Sequence, residues 1–359
     1  MWYTEKMVNG NTRYSIKDIA KLSGVSTATL SRYFNGQGVK ASTERKIQTV
    51  IKETGYIPNI AARFMKGQRT GIIGLILPQL DHYFFSEIAE GVIEEARRNG
   101  MAVLCGSCEG SKKIEKQIIE QFSHSILDGL IYIPVAQAED IPAIEQFRNL
   151  PMVVVARRNL FPGIPHIYHD GEKGGYLATK YLIQLGRKNI VFVASFWNAP
   201  CATGNELLTF LDDPRSGSFS SCDRLRGYIK ALKAEGIPIN PNNILISSYW
   251  SKSGIEVAKI ILGKMEAQDG IILMDQTIAS GCVEELQEQG ITVPENISIV
   301  IFDDNNRNSA YNFSKVDLQL KNMGIQAIKT LRDEIEGRST TDRCLDVTFS
   351  PGKSTTKKK

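Results

Sequence analysis

The chain has 359 residues with 43 Lys+Arg against 39 Asp+Glu, a formal net charge of +4 at pH 7. Hydrophobic residues make up 42% and charged residues 23%, ordinary for a globular protein and against wholesale disorder. The length suits two domains, no apolar run reaches the roughly 20 residues that span a bilayer, and the start Met1-Trp2-Tyr3-Thr4-Glu5-Lys6 lacks a signal-peptide core. Six scattered cysteines are no disulfide framework, so the expectation is a reduced, cytoplasmic protein.

The small total hides an asymmetry. Residues 1–69 hold twelve Lys/Arg against Glu5, Asp18, Glu44 and Glu53, a net of +8, which leaves −4 for the rest. A basic head on a mildly acidic body is the layout of a protein that sets one end against a polyanion. A solvated basic face with no partner would carry the same charge.

The head then reads as helices. Ser15 caps and Asp18 supplies a first-turn acid, with Ile16, Ile19, Ala20 and Leu22 on one apolar face. Ser23-Gly24 breaks this helix. Val25 re-enters the core, and Ser26 or Thr27 caps a second helix through Tyr33-Phe34, ended by Asn35-Gly36. Small Ala20, turn Gly24 and buried Leu30 suit two short helices crossing steeply, a helix-turn-helix. A third helix follows from Ser42, with Ile47, Val50 and Ile51 inward, up to Gly55.

In such a motif the second helix enters the major groove, which puts Thr27, Ala28 and Arg32 against base edges. Arg32 suits a guanine, and Ala28 with the Thr27 methyl suits a thymine methyl. Ser26, Thr29, Ser31 and Asn35 suit phosphates. Residues 58–69 form a linker, or a hinge of about two turns, too short to hold as a helix alone; paired in a minor groove it could drive an apolar wedge into a base step.

From Thr70 the pattern becomes apolar runs alternating with amphipathic helices. Strands are expected at 71–77, 101–104, 129–133, 152–155, 190–193, 244–246, 270–273 and 297–302, and a helix at 85–99 with Ile88, Val92, Ile93 and Ala96 inward. This is βαβ organisation, with strands enough for two parallel sheets, and ligands in such folds bind beyond the strands' carboxyl ends, between the lobes. Phe84 and Phe85, Arg157, Arg224, Asp275, Asp303 and Gln319 stand in such places; aromatics stack on flat ligand faces while Arg and Asp hold hydroxyls. Core packing for the two phenylalanines, a helix cap for Asp303 and a surface ion pair for Arg224 are the plainer readings.

Enzymatic chemistry finds little support. The four histidines make no metal-spaced pair, Cys105-Gly106-Ser107-Cys108 reads as a tight strand exit, and no phosphate-binding glycine loop follows the first strand. The chain is read as a non-enzyme with no cofactor and no metal.

Residues 15–20, 24–32 and 55–59 (Ser15-Ile16-Lys17-Asp18-Ile19-Ala20, Gly24-Val25-Ser26-Thr27-Ala28-Thr29-Leu30-Ser31-Arg32, Gly55-Tyr56-Ile57-Pro58-Asn59) resemble the lactose-repressor/galactose-repressor (LacI/GalR) family, and the resemblance runs through the body. It implies an α/β protein: an all-α helix-turn-helix head at 13–57, a hinge at 58–69, and at 70–350 a two-lobed, periplasmic-binding-protein-like body with parallel sheets. It further implies a homodimeric transcriptional regulator, most often a repressor, on near-palindromic double-stranded operator DNA, modulated by a sugar or sugar derivative between the lobes. Asn59, Ala62, Met65 and Lys66 join the implied DNA contacts, Met65 standing where the family usually wedges a Leu. Phe84, Phe85, Arg157, Arg224, Asp303 and Gln319 match effector-contacting positions. Three departures are visible: Ala156 where an acid usually precedes Arg157, Met274 where an Asn usually precedes Asp275, and a longer insertion at 199–221. They motivate an alternative, a body that answers to a corepressor protein or a non-sugar metabolite. No strong leucine heptad follows the body, so a tetramer is not indicated.

Overall fold

The computed structural model describes residues 14–34, 37–57, 69–137, 144, 147, 149–264, 269–303 and 311–358. The chain divides into two compact units, Met1–Thr70 and Gly71–Lys359.

The first unit holds α1 (Ile16–Ser23), α2 (Thr27–Phe34) and α3 (Ala41–Thr54). A reciprocal capping box starts α1: Ser15 Oγ accepts from the Asp18 amide and the Asp18 carboxylate accepts from the Ser15 amide. Gly24 ends it in the left-handed conformation at φ 65°, a geometry that costs other residues. Of the two candidates for capping α2, Ser26 does so, its Oγ accepting from Thr29 N at 3.1 Å. The core is Ile19, Ala20, Leu30 and Ile47, with Val50, Ile51, Phe34 and Tyr56 packed around it. Complete burial of Leu30 alone stabilises the unit by about 1.5–3 kcal/mol. Leu22, expected inward, is 44% exposed: it falls on the outer side of the face that Ile19 and Ala20 define. The hinge at 58–69 lies, but for Arg69, outside the described residues.

The second unit is built on two six-stranded sheets. The first has the order β11-β5-β4-β3-β1-β2, from β1 (Ile72–Leu77), β2 (Ala102–Ser107), β3 (Gly129–Tyr132), β4 (Met152–Val155), β5 (His166–His169) and β11 (Arg343–Leu345), all pairs parallel. Among the described residues, α4 (Tyr83–Arg98), α5 (Lys112–Ser123) and α11 (Leu320–Ile335) belong to this lobe. The second sheet has the order β12-β10-β9-β8-β6-β7, from β6 (Ile190–Ser195), β7 (Ile244–Ser247), β8 (Gly270–Leu273), β9 (Ser298–Phe302), β10 (Ser314–Asp317) and β12 (Thr348–Ser350). Only β10/β12 is antiparallel. Its helices are α6 (Gly171–Gln184), α7 (Gly204–Phe210), α8 (Ser220–Ala234), α9 (Ser251–Leu262) and α10 (Gln276–Glu288).

The central strands are almost wholly buried Ile, Val, Leu and Phe, as parallel strands covered on both faces must be. On α4, Ile88, Val92 and Ala96 point inward as expected, but Ile93 is 48% exposed, one position round the helix from the buried stripe. Helices cross closely where glycines meet: a Cβ on Gly175 of α6 would sit 1.9 Å from Arg224 O on α8, and one on Gly227 of α8 would sit 2.0 Å from Glu172 O on α6.

The chain passes between the lobes three times, at Asp170, at Leu318-Gln319 and at Asp346-Val347. The passages are tied together. Asp170 N donates to Leu345 O at 2.9 Å, Gln319 Nε2 donates to Asp346 O at 3.1 Å, and Lys173 Nζ meets Asp346 Oδ1 at 2.5 Å.

A cleft between two switch points and a helix-turn-helix face

In each sheet the strand order reverses beside the first strand of its half, between β1 and β3 and between β6 and β8. Such reversals open a crevice beyond the strands' carboxyl ends. Both crevices line one narrow cleft of about 70 Å³. His82, Phe84, Phe85 and Pro134 come from the first lobe, with Ala156-Arg157 after β4. Ser195–Asn198 after β6, Phe219–Ser221 and Arg224 of α8, Tyr249 after β7, and Met274-Asp275 after β8 come from the second.

Aromatic rings form its walls. Trp197 lies 5.2 Å from Tyr249 and 6.0 Å from Phe85, and His82 packs edge-on to Tyr249 at 6.0 Å. Among them sit buried polar atoms that have no hydrogen-bond partner among the described residues: both ring nitrogens of His82, Ser195 Oγ, Arg224 Nε and Asp275 Oδ2. Unpaired buried polar groups cost free energy, and native proteins keep few of them.

The Arg224 guanidinium, 2% exposed, lies 4.2 Å over the Phe302 ring. Nη2 meets His169 Nε2 at 3.1 Å and Nη1 meets Met274 Sδ at 3.2 Å. Burial lowers its pKa. Burial first, and the Arg224 charge second, hold the His169 pKa well below its usual value, so the ring is neutral at pH 7. Since an arginine only donates, Nε2 accepts and the proton sits on Nδ1. Arg157 is half-buried, 4.7 Å over the Phe219 ring, with its pKa pulled down to about 10 by burial and hence still charged. Behind the first-lobe wall, Glu115 accepts from Tyr132 Oη at 2.8 Å and from the Val135 and Ala136 amides at 2.6 and 3.0 Å, fixing the turn that carries Pro134.

The fold thus gathers five of the seven expected effector residues, Phe84, Phe85, Arg157, Arg224 and Asp275, around the cleft. Asp303 and Gln319 lie apart from this lining. Asp303, at φ 62°, accepts from Leu318 N at 3.2 Å, and Gln319, at φ 52°, occupies the N-cap position of α11 while its side chain reaches Asp346 O; both stand at the second inter-lobe passage. Phe85 also packs in the core at 6% exposure, so the two readings of it hold together, whereas Arg224 makes no surface ion pair. The structure adds His82, Ser195, Trp197, Phe219 and Tyr249 to the lining. His82, Ser195, Trp197 and Tyr249 share one sequence signal: each lies within a few residues of a strand's carboxyl end.

In the first unit Ser26, Thr27, Ala28 and Arg32 are exposed along α2, with Thr29 and Ser31 half-exposed. Leu30 faces the core and holds that helix down. Asn35, Asn59, Ala62, Met65 and Lys66 lie outside the described residues.

The model of bacterial regulatory proteins, lacI family, matches residues 15–59, and that of periplasmic binding proteins and the sugar binding domain of the LacI family matches residues 70–356. The chain belongs to the LacI family. The family's HTH-type transcriptional regulator RegA of Clostridium saccharobutylicum is 33% identical over 81% of this chain and 82% of its own length. The HTH-type transcriptional repressor PurR of Pasteurella multocida is 29% identical over 90% of this chain and 93% of its own. The lac repressor dimer bound to operator and an anti-inducer has the same fold, with a TM-score of 0.78 at 21% identity over 96% of this chain and all of that one. Like these LacI-family members, the chain is a helix-turn-helix transcriptional regulator with an effector-binding body. Its relatives are regulators, not enzymes. No helix among the described residues is long and apolar enough to cross a membrane.

Proposed function

We propose that the chain is a cytoplasmic repressor, a homodimer on a near-palindromic operator, whose DNA affinity is set by a small molecule held between the lobes of its body. The observation that carries this reading is the set of unpartnered buried atoms of His82, Ser195, Arg224 and Asp275, contributed by both lobes to one aromatic-walled cleft. A ligand that pairs those atoms while stacking on Trp197 or Phe85 stabilises one lobe arrangement over others, and differential affinity of that kind is what shifts an equilibrium. A sugar or sugar derivative fits: a ring with one apolar face and several hydroxyls. Phe84, Phe85, Arg157, Arg224 and Asp275 are its contacts in this reading, with Asp303 and Gln319 acting from the passage behind them.

A non-sugar metabolite is the second reading, favoured by Met274. Its sulfur sits against Arg224 and offers a sugar hydroxyl only a weak acceptor. A corepressor protein would act on the outer surface and leave the cleft's unpaired atoms unused.

The test uses the full chain. Selection from random duplex DNA at physiological salt is expected to return a near-palindrome bound at least a thousandfold better than bulk DNA. Calorimetry with sugars, sugar phosphates and nucleobases is expected to find one that binds at one site per chain and changes that DNA affinity. Failure to enrich any sequence would end the operator reading, and tight ligand binding without an effect on DNA would end the effector reading.

A further inference from the structure

The two arginines that follow β4, on the first lobe, both reach the second lobe. Arg158 donates to both oxygens of Asp223, Nε to Oδ2 at 2.8 Å and Nη2 to Oδ1 at 2.6 Å. The pair is partly buried, with side-chain exposures of 32% and 11%. Arg157 donates Nε to Ser218 O at 2.5 Å and Nη2 to Ser218 Oγ at 3.1 Å, and stacks on Phe219. The single Ser218 hydroxyl proton has two acceptors in reach, Arg215 O at 2.8 Å in its own lobe and Gln137 Oε1 of the first lobe at 3.1 Å.

On the second-lobe side, Ser218 stands near the end of the 199–221 insertion and Asp223 just beyond it, in the first turn of α8. The insertion's turn is braced from behind: Arg226 donates to Asp223 Oδ1 at 3.0 Å, to Leu211 O at 2.8 Å and to Ser216 Oγ at 2.6 Å. Asp223 is therefore shared between Arg158 of one lobe and Arg226 of the other, and Arg226 fixes the very turn that presents Ser218 to Arg157. Bidentate guanidinium–carboxylate pairs are geometrically exacting, and partly desolvated ones are stronger than exposed ones.

We propose that Arg157 and Arg158 with Ser218 and Asp223 form a latch, made entirely of the protein's own groups, that biases the two lobes toward the arrangement in which these groups meet. The insertion supplies the Ser218 half of it and α8 the Asp223 half. Two things follow. The lobe equilibrium is already weighted before any effector arrives, and an effector that uses Arg157 has to take its donors from Ser218. The second consequence rests on the cleft being the effector site; the latch itself does not.

The test is small-angle scattering and amide hydrogen exchange on the full chain without added ligand. Arg158→Gln and Asp223→Asn each leave groups that still hydrogen-bond but remove the ion pair. Each is expected to increase the radius of gyration and to raise exchange at residues 218–222 about tenfold or more, the loss of two charge-assisted bonds. Arg158→Lys, which keeps the charge, is expected to restore part of the protection. Lys230→Gln, which breaks an ion pair with Glu172 inside the second lobe, is the control and is expected to change neither readout. Scattering and exchange at residues 218–222 that match the wild type in both Arg158→Gln and Asp223→Asn would overturn the latch. If Asp223→Asn unfolds through loss of the Arg226 bond, Arg158→Gln on the opposite lobe decides alone.

Discussion

His82 Nε2 of the first lobe stands 3.6 Å from Asp275 Oδ2 of the second, and neither atom has a hydrogen-bond partner among the described residues. Asp275 is nonetheless anchored, because its other oxygen accepts from Ile278 N at 3.1 Å and caps α10. One carboxylate thus holds a helix with one oxygen and offers the other to the cleft. These roles separate by substitution. Asp275→Asn keeps a capping acceptor and should unfold in urea within about 0.5 kcal/mol of wild type, whereas Asp275→Ala should lose about 1 kcal/mol with the cap. Equal losses in the two variants would mean that the free oxygen matters to stability as much as the cap does.

His169 gives the body a pH dependence of known sign. Its folded pKa lies well below its unfolded value near 6.5, so between the two the unfolded chain binds more protons than the folded one. That stability is fully present above about pH 6.5 and is lost as the pH falls toward the folded value. His166, also lowered by burial, adds in the same direction, while buried Glu115, raised by burial, contributes the opposite slope from pH 4.5 upward. His169→Gln keeps an acceptor for Arg224 and cannot titrate. Denaturation midpoints from pH 7.5 to 5.5 should fall less steeply in His169→Gln than in wild type; parallel curves would refute the assignment.

The crossing of α6 and α8 positions Arg224. A methyl on Gly175 would meet Arg224 O at 1.9 Å, backbone against backbone, with no flexible side chain to yield. Gly175→Ala should therefore cost at least about 1–3 kcal/mol in chemical denaturation. Because α8 must shift, it should also weaken binding of any cleft ligand; a variant as stable as wild type would contradict the close crossing.

On the DNA side, Arg32 is exposed on α2 one turn beyond Ala28. In the operator-binding reading, Arg32→Ala should cost about 1–3 kcal/mol and relax preference at one base pair, measured by fluorescence anisotropy on single-base operator variants. A uniform loss across all variants would assign it to phosphate instead.

Much of this was legible in the residues. The capping box at Ser15 and Asp18, the turn at Gly24 and the buried Leu30 announce the head because local chemistry decides them. The central strands announce themselves as runs of buried β-branched residues. Four strands go unannounced: β5 and β10 are four residues each and partly polar though they lie inside their sheets, and the edge strands β11 and β12 are three residues each, paired only because the chain crosses between lobes three times. The same long-range closure explains the site. Phe84, Arg157 and Asp275 follow strands and could be guessed one by one. That Trp197 and Tyr249 would wall the cleft, or that Gln319 would tie one passage to the next, depends on how two sheets meet. Ile93 and Leu22 failed for a simpler reason: an apolar residue at the edge of a helical stripe is placed by tertiary packing, and both fell outside.

The central claim is that occupancy of the cleft and affinity for operator are one linked equilibrium. The most direct measurement is the operator affinity of the full chain at fixed salt, by anisotropy, without ligand and with the cleft saturated by the small molecule that calorimetry identifies. The affinity is expected to change by at least about fivefold, and Arg224→Gln to abolish that change together with ligand binding. An operator affinity that stays the same when the cleft is saturated would contradict the linkage.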